Sequence, residues 1–181
     1  MTMMLNGWDV DAMNEAVEAV KEQPESGCLT WRSRVRWDGG FGVNVRTRDI
    51  EQLGEVLERP FILRGDHPPQ LLGGNTGPTA IELLFGALGS CMAGTFAAQA
   101  TARGVAVDSL EVDVSGDIDL NGFFGLRSVP PGVSGVTVSF RVQSDADLEV
   151  LEEIADAARA HSPVHDSVTR PVEVETRIER T

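Results

Sequence analysis

The residues of this 181-residue chain that could carry covalent chemistry are few: two cysteines, Cys28 and Cys91, and three histidines. Cys91 has the more telling setting. It lies in the longest uncharged run of the chain, Leu83 to Ala102, within GGNTGPTAIELLFGALGSCMAGTFAAQATARG. A free thiol with a pKa near 8.5 is only roughly 3% ionised at neutral pH, and a helix N-terminus or a nearby arginine raises that fraction. Cys91 is therefore either an inert, small, buried hydrophobe or a reactive nucleophile on the spine of the fold. His161 and His165 flank Ser162-Pro163-Val164, with Asp166 next. A spacing of four suits a metal on a helix, but Pro163 breaks that geometry. Cys91, His165 and Asp166 have the residue types of a nucleophile–base–acid triad, yet no nucleophile motif surrounds them. Gly73-Gly74-Asn75-Thr76-Gly77 resembles a phosphate cradle only loosely, lacking the lysine and the glycine spacing. With no CxxC, neither a metal cluster nor a disulfide framework is expected, and no cofactor is implied.

The element that must position Cys91 is predicted to be a helix over residues 80–103. Thr79-Ala80-Ile81-Glu82 fits a capping box, and Gly104 fits a left-handed stop residue. Unbroken, such a helix runs about 36 Å and turns about 100° per residue. Glu82, nine residues before Cys91, then lies on the opposite face, and a capping role suits it better than contact with the thiol. A break at Gly89-Ser90 would instead start a new helix just before Cys91. The segment is apolar on all sides, so nearly every face needs a cover. Its length also suits a membrane span, against which stand Glu82, Gln99, three glycines and the absence of a basic flank.

In chain order, Val10, Met13, Val17 and Val20 predict an amphipathic helix over 8–22. Leu29 to Trp37 alternates, Asp38-Gly39-Gly40 turns, and Phe41, Val43 and Val45 alternate again, predicting a β-hairpin. One face of this hairpin is apolar. The other carries Arg32, Arg34 and Arg36, as a solvated surface or part of an anion-favouring site. Ile50, Leu53, Val56 and Leu57 predict a short helix over 49–58, and Phe61 to Arg64 a short strand. After a loop over 65–77 and the central helix, Val107 to Leu120 alternates, with a bulge expected at Gly116. A loop over 121–132 holds Phe123, Phe124 and Leu126. Further strands are predicted around Val136–Val142 and Val172–Ile178, on either side of a helix opening at Ser144 and closed by His161-Ser162-Pro163. This order indicates an α+β fold with a largely antiparallel sheet. An N-terminal helical extension over 1–28 precedes a single domain over 29–181.

The net charge of −13, from 28 acidic and 15 basic residues, disfavours nucleic acid and anionic membranes as partners. The N-terminus lacks a basic region and is acidic early, unlike a secretory signal, so a reducing cytoplasm is expected.

Taken together, GGNTGPTAIELLFGALGSCMAGT, LEVDVSGDIDLNGFFGL, HSPVHDSV and PVEVETRIE resemble the OsmC/Ohr superfamily over residues 29–179. The resemblance implies an intertwined homodimer, with antiparallel sheets from both chains wrapped around long central helices. It implies reduction of organic hydroperoxides in an oxidative-stress response by a cysteine on the central helix, matched by Cys91. The thiolate becomes a sulfenic acid that a second cysteine captures. Three positions depart from that pattern. The resolving Cys-Pro step is Ser162-Pro163, the family's glutamate position is Ile81, beside Glu82, and its hairpin arginine position is Trp37, beside Arg36. Cys28 is poorly placed to substitute as resolver. Two functions follow as expectations. One is reduction of a small apolar peroxide through Cys91 with an external thiol reductant. The other is non-enzymatic binding of a hydrophobic small molecule at the dimer interface near Cys91, Phe123 and Phe124.

Overall fold

A computed structural model describes residues 3–180. Contacts divide the chain into two compact units, Met1–Leu84 and Phe85–Thr181.

The first unit opens with a miniature hairpin, β1 (Met4–Leu5) and β2 (Trp8–Asp9), turned by Asn6-Gly7 at positive φ. Helix α1 (Val10–Glu22) follows, its first free amides capped by the Asp9 carboxylate, which accepts from the Ala12 amide at 3.0 Å. The predicted hairpin is present as β3 (Leu29–Gly39) and β4 (Gly42–Gln52). The expected helix over 49–58 is not. β4 runs on to Gln52, Leu53-Gly54 turns with both φ positive, and β5 (Glu55–Glu58) pairs back onto it. Such a turn matches the twist of the flanking strands, and it sets Ile50 directly opposite Leu57. The same apolar spacing fits a helix and a tight hairpin, and the backbone freedom of Gly54 decides between them. The predicted short strand is β6 (Ile62–Gly65), which pairs with the other half of β4. β4 is thus the centre of a four-stranded antiparallel sheet.

Helix α2 (Ala80–Ala102) spans the predicted range without interruption, so no new helix begins at Gly89-Ser90. Gly104 ends it at φ +70°. Its buried stripe, Leu88, Met92, Phe96 and Ala100, repeats every four residues. Gly89 and Thr101 are buried beside it, and the remaining residues of the helix are left partly or fully open in the single chain, including Leu84, Gly86, Ala87 and Gly94.

In the second unit β7 (Ser109–Gly116) and β8 (Val136–Gln143) pair antiparallel in unbroken register. Gly116 is not a bulge but the last paired residue. A Cβ there would stand 2.4 Å from the Gly135 carbonyl oxygen, so close backbone approach requires the glycine. Ile118 and Leu120 leave the strand, and a one-turn helix α3 (Leu120–Phe123) opens the loop that follows. Helix α4 (Leu148–His161) starts four residues after Ser144, whose hydroxyl instead accepts from the Ala146 amide. A further short helix, α5 (Pro163–Thr169), follows, for which no element was predicted. The core joins Phe96 and Ala100 of α2 to Ile154 and Ala158 of α4, all fully buried, with Phe140 of β8 packed on Phe96 at 5.3 Å between ring centres. The predicted final strand over 172–178 is not formed. Residues 171–180 have no strand partner among the described residues and are exposed, as an alternating segment is when no sheet edge receives it.

Candidate functional site

Cys91 sits at mid-helix on α2, partly exposed and free of any disulfide. Its carbonyl accepts the Thr95 hydroxyl at 2.8 Å, and Ser90 turns its hydroxyl back onto the Gly86 carbonyl. The decisive neighbour comes from 71 residues further along. Ser162 is the joint between α4 and α5, with Pro163 at the first position of α5. Proline suits that position because its missing N–H would find no partner there, and the joint holds Ser162 in extended backbone. The Ser162 side chain is 1% exposed. Its hydroxyl donates to Cys91 Sγ at 3.1 Å and accepts from the His165 amide at 3.3 Å. Of the residues singled out in the sequence, these two are brought together.

The others lie elsewhere. Glu82 closes the predicted capping box: Thr79 N–H donates to its carboxylate at 2.6 Å, and Glu82 N–H donates to the Thr79 hydroxyl at 3.2 Å. The Thr79 amide, then the Thr79 hydroxyl and the charge of His67, hold this carboxyl below its usual range. Arg36 is exposed on the hairpin and paired with Asp38 at 3.0 Å. Trp37, at the arginine position of the resembled pattern, donates its indole N–H to the Gly40 carbonyl at 2.9 Å. Phe123 and Phe124 meet edge to face at 5.0 Å and are both exposed. No triad assembles among the described residues: Asp166 pairs with Arg170, the residue that caps the end of its helix, and His161 and His165 fall on different helices.

One side of α2 and β7 frame a groove of about 400 Å³, lined by Phe85, Gly86, Gly89, Ser90, Ala93, Val112, Asp113 and Val114. Gly89 makes the approach possible, since a Cβ there would already stand 3.2 Å from Val114. Cys91, Phe123 and Phe124 are not among the lining residues.

A second polar site escaped the sequence reading. Asp66 is buried and accepts four hydrogen bonds, from the His67, Gly74 and Thr76 amides and from the Thr76 hydroxyl. The Thr76 hydroxyl, then the His67 amide, bring its pKa down to about 2. The glycine-rich loop is therefore an aspartate cradle in which the backbone supplies the donors. Gly73 is obligatory because a Cβ would lie 2.0 Å from the His67 carbonyl. His67 stacks on Phe41 at 4.1 Å, and its Nδ1 is buried without a hydrogen-bond partner among the described residues. An aspartate followed within ten residues by a run of small residues was the available signal.

With this geometry in place, the comparisons are consistent. A family model described as OsmC-like protein matches residues 73–177, more than half of the chain. The chain belongs to the OsmC-like family. Solved structures agree on the fold. An OsmC-like protein from Mycoplasma pneumoniae aligns with a TM-score of 0.61 at 15% identity, covering 77% of this chain and 86% of that one. The organic hydroperoxide resistance protein OsmC from Legionella pneumophila aligns at 0.55 and 12% identity, covering 77% and 89%. OhrB of Bacillus subtilis, also an organic hydroperoxide resistance protein, aligns at 0.51 and 20% identity, covering 77% and 90%. No curated protein matches this chain in sequence. The α+β class read from the sequence and the OsmC/Ohr resemblance both stand.

Proposed function

We propose that this OsmC-like chain reduces small organic hydroperoxides with Cys91 as its single redox-active thiol. The observation that carries the reading is the partly exposed Cys91 with the Ser162 hydroxyl at 3.1 Å, where the family pattern has its resolving cysteine. In the proposed cycle the Cys91 thiolate attacks the distal peroxide oxygen. The O–O bond breaks, the alkoxide leaves and takes a proton as alcohol, and Cys91 is oxidised to sulfenic acid. Ser162 gives the sulfur a hydrogen bond but cannot form a disulfide with it. An external thiol therefore condenses with the sulfenic acid, releasing water. A second thiol then displaces Cys91 from the mixed disulfide and restores the free thiol. A reducing cytoplasm suits such a cycle. Two structural neighbours are named for organic hydroperoxide resistance, which favours this substrate class.

The functional unit in this reading is a homodimer. Only 22% of the most apolar window of α2 is buried within one chain, although the helix is long and apolar enough to cross a membrane. On β3, Trp31 and Trp37 are 69% and 70% exposed. A second copy is the cover that the family resemblance implies for both.

The test is consumption of an alkyl hydroperoxide with a dithiol as reductant. Wild type is expected to turn over and Cys91→Ser to fall to the uncatalysed rate. Equal rates in the two proteins would remove the enzyme reading.

A second reading is favoured by the groove between α2 and β7: a non-enzymatic member that binds a hydrophobic small molecule there. Native mass spectrometry of the purified protein is expected to find a co-purified lipophilic compound in that case. A protein that is empty and takes up no apolar probe counts against it.

A further inference from the structure

We propose that the polar face of the β3–β4–β5–β6 sheet binds a small phosphate-type oxoanion between Arg34, Arg46 and Arg59. The site is independent of Cys91 and of the peroxide reading. Arg34 and Arg46 are direct cross-strand partners in the register of β3 and β4. Residues so placed have Cβ atoms about 4.5–5.5 Å apart, and like charges there repel. No carboxylate among the described residues pairs with either guanidinium to relieve this repulsion. The nearby Asp49 and Glu51 are taken by Arg32, at 2.7 and 2.8 Å, and Asp49 also meets Arg48 at 3.6 Å. Among the described residues neither Arg34 nor Arg46 has an ion pair, in a chain that carries 28 acidic residues against 15 basic ones. An arrangement that concentrates scarce cations face to face, where acidic residues are plentiful, is explained by an anion that bridges them.

The shape agrees. Arg34, Arg46, Arg48 and Arg59 line one hollow of about 310 Å³, with Asp49 and Glu58 the carboxylates on its wall. Four guanidinium groups against two carboxylates leave a local positive excess. Arg59 is steadied over the Phe61 ring at 5.1 Å. Thr47 is not a ligand donor, because its hydroxyl is turned onto the Arg59 carbonyl. Guanidinium forks match the paired oxygens of phosphate. The volume is at the small end for a small-molecule site, which suits a phosphate or diphosphate group. Longer polyanions meet the field of a molecule with net charge −13.

Isothermal titration with pyrophosphate, at ionic strength fixed by chloride, tests the site on the full chain. Saturable binding of one anion per chain is expected, weakened about tenfold or more in Arg34→Gln and in Arg46→Gln. Arg34→Lys, which keeps the charge and loses the fork, is expected to bind more weakly than wild type and more tightly than Arg34→Gln. Arg141→Gln, on β8 in the other unit, is expected to bind like wild type. Circular dichroism confirms that each variant is folded. The absence of saturable heat would overturn the proposal, as would equal binding by wild type and the two glutamine variants. Binding confined to single-stranded RNA or to anionic vesicles, without pyrophosphate binding, would overturn it too.

Discussion

At the residue scale, the 3.1 Å contact between Ser162 and Cys91 has a direct consequence. A cysteine at 162 would carry its sulfur close to where that hydroxyl stands, and a disulfide then asks for Cβ atoms about 3.5–4.5 Å apart. Ser162→Cys therefore places a second thiol where a sulfenic acid at Cys91 would be captured. One equivalent of alkyl hydroperoxide is expected to convert this variant to an intramolecular 91–162 disulfide, read by peptide mapping and thiol counting. Wild type is expected to form none. A variant that keeps both thiols free after peroxide would show that Cys91 is not oxidised at all.

Asp66 gives a residue-scale prediction with a sign. Its folded pKa of about 2 lies below the ordinary 3.8, so the folded state binds its proton less tightly than the unfolded chain. The stabilisation is complete above the unfolded value and is lost as pH falls through it towards about 2. The urea midpoint of wild type is expected to drop over that window, and Asp66→Asn to show a lower midpoint at neutral pH with a shallower acid slope. Parallel acid slopes in the two proteins would remove Asp66 from the account. This network was illegible in the sequence because backbone amides supply three of its four donors, and backbone donors leave no mark in composition.

At the element scale, legibility followed how local the deciding physics is. The range of α2, its capping box and its glycine stop were readable because each rests on residues within one turn of the helix ends. The hairpin β3–β4 was readable from strict alternation around two glycines. The hairpin β4–β5 was misread because Ile50, Leu53, Val56 and Leu57 satisfy helical spacing, while the turn at Leu53-Gly54 is what the backbone adopts. Ser162 stood out only through the family resemblance, and its contact with Cys91, 71 residues away, could not be read from spacing. One element-scale prediction tests the core that holds the two together. Phe96 is fully buried between α2, β8 and α4. Phe96→Ala is expected to cost about 3–5 kcal/mol in urea unfolding, by lost transfer energy and the cavity left behind. A cost below about 1 kcal/mol would mean that α2 is not seated on α4 in solution.

At the scale of the whole molecule, the proposed homodimer rests on what one chain leaves uncovered. The open side of α2, the tryptophans of β3 and Val172, Val174 and Ile178 in the alternating segment over 171–180 are exposed apolar groups without a packing partner among the described residues. Monomers rarely expose large apolar patches. Gly94 separates the two possibilities, because a Cβ added there meets nothing within 4 Å in the single chain. If that face is free in solution, Gly94→Leu stabilises the helix by up to about 1 kcal/mol, since leucine is the better helix former. If another copy packs against it, the new side chain has no room and the pair separates. Sedimentation without detergent is expected to give a dimeric mass for wild type and a monomeric, still helical chain for Gly94→Leu. A wild type that sediments as a monomer, with a variant that only melts higher, would leave Cys91 to act in one chain alone.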